Sequence, residues 1–132
     1  MTSGLVHTNN QDPGCDDGCT AVGYNALYTN NSWYGNTAVG FQAGYSINTA
    51  GAFFTAVGYS AGQSATGVEC TYIGYSAGLN LTSGSRNTCV GSSAAYSSGA
   101  GPHTADDLTV IGYYAGLAIS TGSQNTLLGS QA

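Results

Sequence analysis

Polar, apolar and aromatic positions follow one another along this chain in a fixed order: Thr, a small or apolar residue, an aliphatic residue, Gly, a residue that is usually aromatic, a variable residue, then Ala. The phrase occurs seven times, as Thr20 to Ala26, Thr37 to Ala43, Thr55 to Ala61, Thr71 to Ala77, Thr88 to Ala94, Thr109 to Ala115 and Thr126 to Ala132. Thr, Gly and Ala hold in every copy, the aliphatic is Val, Ile or Leu, and the residue after Gly is Tyr or Phe in five copies and Ser in two. The phrase glycines (Gly23, Gly40, Gly58, Gly74, Gly91, Gly112, Gly129) are separated by 17, 18, 16, 17, 21 and 17 residues. A near-constant period with one insertion implies a single structural unit stacked on itself.

Within the unit, Thr-x-aliphatic alternates with period two and favours β-branched residues, whereas a central Gly would cost a helix about 1 kcal/mol, so the phrase predicts a strand that bends at its Gly. The bend predicts a positive φ, or a close approach to the next coil, at each phrase Gly. About ten Gly-, Ser- and Asn-rich residues separate the phrases, as in Gly78-Leu79-Asn80-Leu81-Thr82-Ser83-Gly84-Ser85-Arg86-Asn87. That length allows a turn, a short return strand and a second turn. Each coil then closes and sets its strand about 4.8 Å along the axis from the last. The predicted fold is all-β: a parallel β-solenoid or β-roll of about seven coils over residues 20–132, with an insertion at 97–107, preceded by an acidic cap or connecting segment at 1–19.

The two faces of the strand are both uncharged. One carries the column Thr20, Thr37, Thr55, Thr71, Thr88, Thr109 and Thr126 with its aliphatic partners, which reads as the chain's own core, each hydroxyl finding a buried partner. The other carries Ala21, Ala38, Ala56, Tyr72, Cys89, Val110 and Leu127. A strand with water on one side should be polar there, so this second apolar column predicts packing against further copies of the chain.

Composition narrows the function. Charged residues are 5% of the chain, Arg86 is its single basic Lys or Arg, and the net charge is -5. Nothing of that kind neutralises a row of phosphates, so a nucleic-acid partner is excluded. No apolar run approaches the roughly 20 residues of a membrane-spanning helix. The 21 glycines and 10 tyrosines, with recurring β-branched residues, describe a folded, turn-rich β-protein and not a disordered chain.

The phrases Asn36-Thr37-Ala38-Val39-Gly40-Phe41-Gln42-Ala43-Gly44, Thr55-Ala56-Val57-Gly58-Tyr59-Ser60-Ala61-Gly62 and Gly122-Ser123-Gln124-Asn125-Thr126-Leu127-Leu128-Gly129 resemble the repeats of bacteriophage tail-fibre proteins. They are more distantly similar to the head repeats of trimeric autotransporter adhesins. The resemblance covers Thr20 to Ala132. It implies a left-handed β-roll, a homotrimer, and work on the virion surface or outside the cell as a structural and adhesive fibre segment that attaches to a host surface. Two departures stand out: the period is nearer 17 than the shorter adhesin repeat, and no neck, anchor or chaperone domain follows the seventh Ala, which reads as a fragment or processed product.

The chemistry-bearing residues point to no enzyme. Asp12, Cys15, Asp16, Asp17 and Cys19 invite a metal, but Cys15 and Cys19 are four apart with His7 the one nearby imidazole, and the regular oxygen ligands of a calcium loop are absent. An acidic solvated loop and a local disulfide between the two cysteines are the other readings; no metal or cofactor is expected. Cys70 and Cys89 fall on neighbouring coils at a diagonal offset beyond comfortable disulfide range, which predicts buried free thiols. His103 lies near Asp106 and Asp107 in the insertion without a nucleophile phrase beside it, and reads as part of a surface loop. Tyr24, Phe41, Tyr59, Tyr75 and Tyr113 form either a structural aromatic ladder or an exposed row that stacks on a host-surface glycan. Asn30-Asn31-Ser32 and Asn80-Leu81-Thr82 match the glycosylation triplet, a pattern common by chance in such a composition. Two other classes compete with the fibre segment. An ice-binding solenoid would use the Thr column, although the bulky aliphatic beside each Thr suits a core better. A polysaccharide-degrading solenoid would need clustered carboxylates, which the phrases lack.

Overall fold

The computed structural model describes residues 6–7, 18–29, 35–47, 53–97 and 103–132. Asp12, Cys15, Asp16, Asp17, the Asn30 triplet and the side chain of His7 lie outside the described residues.

Every phrase begins with a strand of three residues: β2 (Thr20–Val22), β3 (Thr37–Val39), β4 (Thr55–Val57), β5 (Thr71–Ile73), β6 (Thr88–Val90), β7 (Thr109–Ile111) and β8 (Thr126–Leu128). They form one parallel sheet in sequential order, and each Thr pairs with the next Thr, from Thr20 with Thr37 to Thr109 with Thr126. The chain is therefore an all-β, parallel β-solenoid with one phrase per coil. A further strand, β1 (Val6–His7), lies antiparallel on β2, pairing Val6 with Val22 and His7 with Ala21. It occupies the edge that the first coil would otherwise leave unpaired.

The expected return strand is absent among the described residues. Past the strand and its Gly the chain turns through residues with left-handed φ: Gln42, Ser60, Ser76, Ser93 and Tyr114 (52° to 55°) within the phrase, then Gly44, Gly62, Gly78 and Gly116 (55° to 63°) just after it. A last corner falls two residues before the next Thr, at Gly35, Phe53, Glu69, Arg86, Asp107 and Gln124. Backbone hydrogen bonding to the next coil continues through these corners, for example Ser76 N to Tyr59 O at 2.8 Å and Gly78 N to Ala94 O at 2.9 Å. The ladder that satisfies the backbone thus needs only three residues of strand geometry per coil.

The core lies on the side opposite to the one expected. Ala21, Ala38, Ala56, Tyr72, Cys89 and Val110 are at most 2% exposed within the single chain, and Leu127 is half-buried. This column packs inside the coil, so the six fully buried members are core residues with no surface left for a second copy. Thr20, Thr88, Thr109 and Thr126 are exposed, while Thr37, Thr55 and Thr71 are half-buried. The physical reason is the length of the strand: three residues between corners send one side chain in and two out. The interior is completed from elsewhere in the coil, by the residue before Thr (Phe54, Cys70, Leu108), the phrase Ala and the residue seven after Gly (Ile47, Ala65, Leu81).

Volume is matched between coils. Phe54 and Tyr72 meet edge to face at 5.3 Å, and the corners beside them are Gly62 and Gly78. A Cβ there would stand 2.4 Å from the Phe54 or Tyr72 ring. Two buried asparagines fasten successive coils. Asn36 Oδ1 accepts from Phe54 N, while Asn87 Oδ1 accepts from Leu108 N and Asn87 Nδ2 donates to Ala105 O at 2.8 Å.

Candidate functional site

Since the core is inside, the conspicuous columns of the phrase form the outer surface. Thr and the aliphatic share one outward face, on which Ile73 (40%), Ile111 (39%) and Leu128 (73%) are the most exposed aliphatics. It is an uncharged strip in which every column advances by one strand spacing per coil.

Past the phrase Gly, the aromatic ladder is also outside. Tyr24, Phe41, Tyr59 and Tyr75 stack in sequence at centroid distances of 5.4, 4.9 and 5.3 Å, with ring planes within 15° of parallel. Stacking and exposure hold together, so the two readings of this row do not exclude one another. The ladder stops at Tyr75 because Ser92 holds the next position. Tyr113, one coil further, turns its ring edge-on to Tyr114 at 4.4 Å.

Beside the ladder runs a groove of about 430 Å³. Its floor is made by Ser60, Ser76 and Ser93, the left-handed residues two after Gly in three successive coils. Tyr59 and Tyr75 form one wall; Leu79 and Tyr96 form the other. Longer side chains close the ends: Gln42, which accepts from Gln63 Nε2 at 3.0 Å, and Tyr114. Reading the phrase alone misses Tyr96, Tyr114 and the serine floor, because they lie at its variable position or beyond its Ala. The signal available is a break in the repeat: Ser92 replaces an aromatic, and Tyr114 replaces the Asn, Gln or Ser of the other coils. A second hollow, of about 590 Å³ and lined by Leu117, Ile119 and Leu127, lies on the axial face of the last coil.

The insertion does not assemble its His with its acids. His103, 4% exposed, meets Ser97, whose Oγ lies 2.6 Å from Nδ1. Asp106 Oδ1 instead accepts from Ser85 N at 2.7 Å, and Asp107 takes both Arg86 Nε and Nη2, at 2.5 and 3.1 Å. The hydrogen bonds from Arg86 hold the Asp107 carboxyl below the usual carboxylate range. The Asp106 and Asp107 contacts tie this loop to the preceding coil, whereas Ser97 and His103 meet within the loop.

Cys70 and Cys89 are free and buried, as their diagonal offset predicts. Burial pushes both thiols up from the ordinary value, which makes them poor nucleophiles and metal ligands. Cys19 is disulfide-bonded, and its partner lies outside the described residues. Among the described residues, no three His, Cys, Asp or Glu side chains gather as a metal site, and no helix is long and apolar enough to cross a membrane. Compared with family models, with curated proteins and with solved structures, the chain has no match.

Proposed function

We propose that this chain is a rigid structural and adhesive segment of a fibre, built by lateral association of copies through the outward Thr and aliphatic face. The carrying observation is that face itself: in-register aliphatics from Val22 to Leu128 turned away from the chain's own core, with no charged residue within the strands. Single exposed aliphatics are ordinary, but a continuous strip along a whole solenoid is the mark of a surface that is covered in use. The sequence pattern alone points for this self-association to the Ala38, Ala56, Tyr72, Cys89, Val110 and Leu127 column. With that column inside, the surface open to a second copy is Thr37, Val39, Thr55, Val57, Thr71, Ile73 and their equivalents. Three-fold assembly, a place on a virion or outside the cell and attachment to a host surface follow from the likeness to tail-fibre repeats.

Light scattering on the unmodified protein at micromolar concentration tests the assembly, with three chain masses as the expected result. Ile73→Asp with Ile111→Asp puts six charges around a three-fold contact and should dissociate it. A one-chain mass for the unmodified protein overturns the reading. In that case the face is free, and one observation favours a second reading: the Thr column is on the surface, in register, at a single repeat distance. An ordered hydroxyl and methyl array of that kind supports ice binding. Inhibition of ice recrystallisation by a monomer, abolished by Thr71→Lys, would establish it.

A further inference from the structure

We propose that the groove beside the interrupted aromatic ladder binds a neutral oligosaccharide, two to three sugar rings long. The site deepens the attachment reading and rests on it for its biological setting, while the groove is independent of the face through which copies associate. Its floor and walls have the chemistry of a sugar site. The three floor serines are each at most 5% exposed, and their hydroxyls make no hydrogen bond among the described residues. None of the three hydroxyls is sealed off from the groove, so each is placed to exchange hydrogen bonds with a ligand's hydroxyls. Their backbone groups are already used between and within coils, as in Ser93 N to Tyr75 O and Tyr96 N to Ser93 O, so the hydroxyls are what the floor presents.

The ladder supplies the stacking surface. Below Tyr75 each ring is covered by the next, but at Ser92 the rung is missing, and two strand spacings, roughly 10 Å, separate Tyr75 from Tyr113. One ring seated over Tyr75 continues the stack at the spacing of the rungs below it. The apolar face of a pyranose suits that position, with its hydroxyl rim over Ser93 and Ser76. Gln42 and Gln63, bonded to each other at one end of the groove, each keep a further polar position for the ligand. Tyr114 closes the other end from the same left-handed corner that every coil makes at this position (φ 53°). Charge decides the class of sugar. No Lys, Arg or His lines the groove, and a net charge of -5 repels acidic glycans.

The test is calorimetric and NMR titration of the full chain with cellotriose, maltotriose and triacetylchitotriose, each separately. Binding of at least one, weakened about tenfold or more by Tyr75→Ala and by Tyr96→Ala, is expected. Tyr24→Ala removes an equally exposed rung away from the groove and should change affinity less than about twofold. The proposal is overturned if none of the three binds at about 10 mM, or if Tyr75→Ala and Tyr96→Ala bind as tightly as Tyr24→Ala. Light scattering of the same samples keeps the two readings apart: a one-chain mass with sugar binding overturns the fibre assembly alone, and assembly without binding overturns the groove alone.

Discussion

The carbonyl oxygen of Gly91 lies 2.5 Å from the point where a side chain at Gly74 would begin. The same relationship links Gly23 to Gly40, Gly40 to Gly58, Gly58 to Gly74 and Gly112 to Gly129. Each phrase Gly also has a φ between 126° and 136°, a region that residues with a Cβ avoid. A collision with backbone cannot be relieved by a rotamer change. Gly74→Ala should therefore cost more than about 2 kcal/mol in urea unfolding. Gly129 has the same backbone with nothing within 4 Å, so Gly129→Ala should cost measurably less, and equal losses at both sites would mean that φ alone sets the penalty.

Asn87 holds two coils together from inside, with two hydrogen bonds to the backbone of the coil above and no exposure. Asn87→Ala leaves the Leu108 N–H and the Ala105 C=O buried and unpaired. At about 1 to 3 kcal/mol for each orphaned group, the loss should exceed about 2 kcal/mol. Asn87→Asp keeps the acceptor for Leu108 but loses the donor and buries a carboxyl, so it should be destabilised too, and less so at low pH. A pH series of urea midpoints for the two variants checks this.

The period, the parallel stack, the glycine corners and the free thiols were legible in the sequence because each depends on one recurring residue type. The sidedness of the strand was not. Period two distinguishes the faces without saying which is inside, and the most constant residues, Thr and the aliphatic, looked like core. Their constancy instead reflects outward columns in which like residues pair in register. Ala43, Ala61, Ala77 and Ala94, constant as well, are the part of the phrase that does face inward, and the residues before each Thr complete the core from outside the phrase. The groove was hidden for a different reason. It is produced by departures from the repeat, and a reading built on the repeat averages them away.

Tyr72 is the largest fully buried side chain, and its hydroxyl has the Cys70 thiol and the Asn87 side chain as neighbours without a well-aligned hydrogen bond to either. Its ring is needed, since it packs edge-on against Phe54 and fills the space over Gly62 and Gly78. The hydroxyl, poorly aligned with these neighbours, adds little to the fold. Tyr72→Phe should thus be neutral or stabilising by up to about 1 kcal/mol, while Tyr72→Ala should cost about 3 to 5 kcal/mol through the cavity it leaves. Thermal melts of the two variants decide it, and a clear loss of stability in Tyr72→Phe would show that the hydroxyl is paired in solution.

Alkaline pH should weaken the fold through the same region. Burial raises the pKa of Cys70 and Cys89 in the folded chain, whereas in the unfolded chain both thiols titrate near the ordinary value of about 8.5. Below that pH both states hold their protons and stability is unaffected. Above it the unfolded chain releases protons that the folded chain retains, so unfolding becomes more favourable as pH rises, by up to about 1.4 kcal/mol per pH unit for each thiol. The Tyr72 phenol, raised by burial as well, adds to the slope only above about pH 10. Urea midpoints should hold steady from pH 7 to about 8.5 and then fall. Cys70→Ala with Cys89→Ala starts from a lower stability because two core side chains are shortened, but its decline between about pH 8.5 and 10 should be much flatter. Parallel declines in the two proteins would place the alkaline sensitivity outside these thiols.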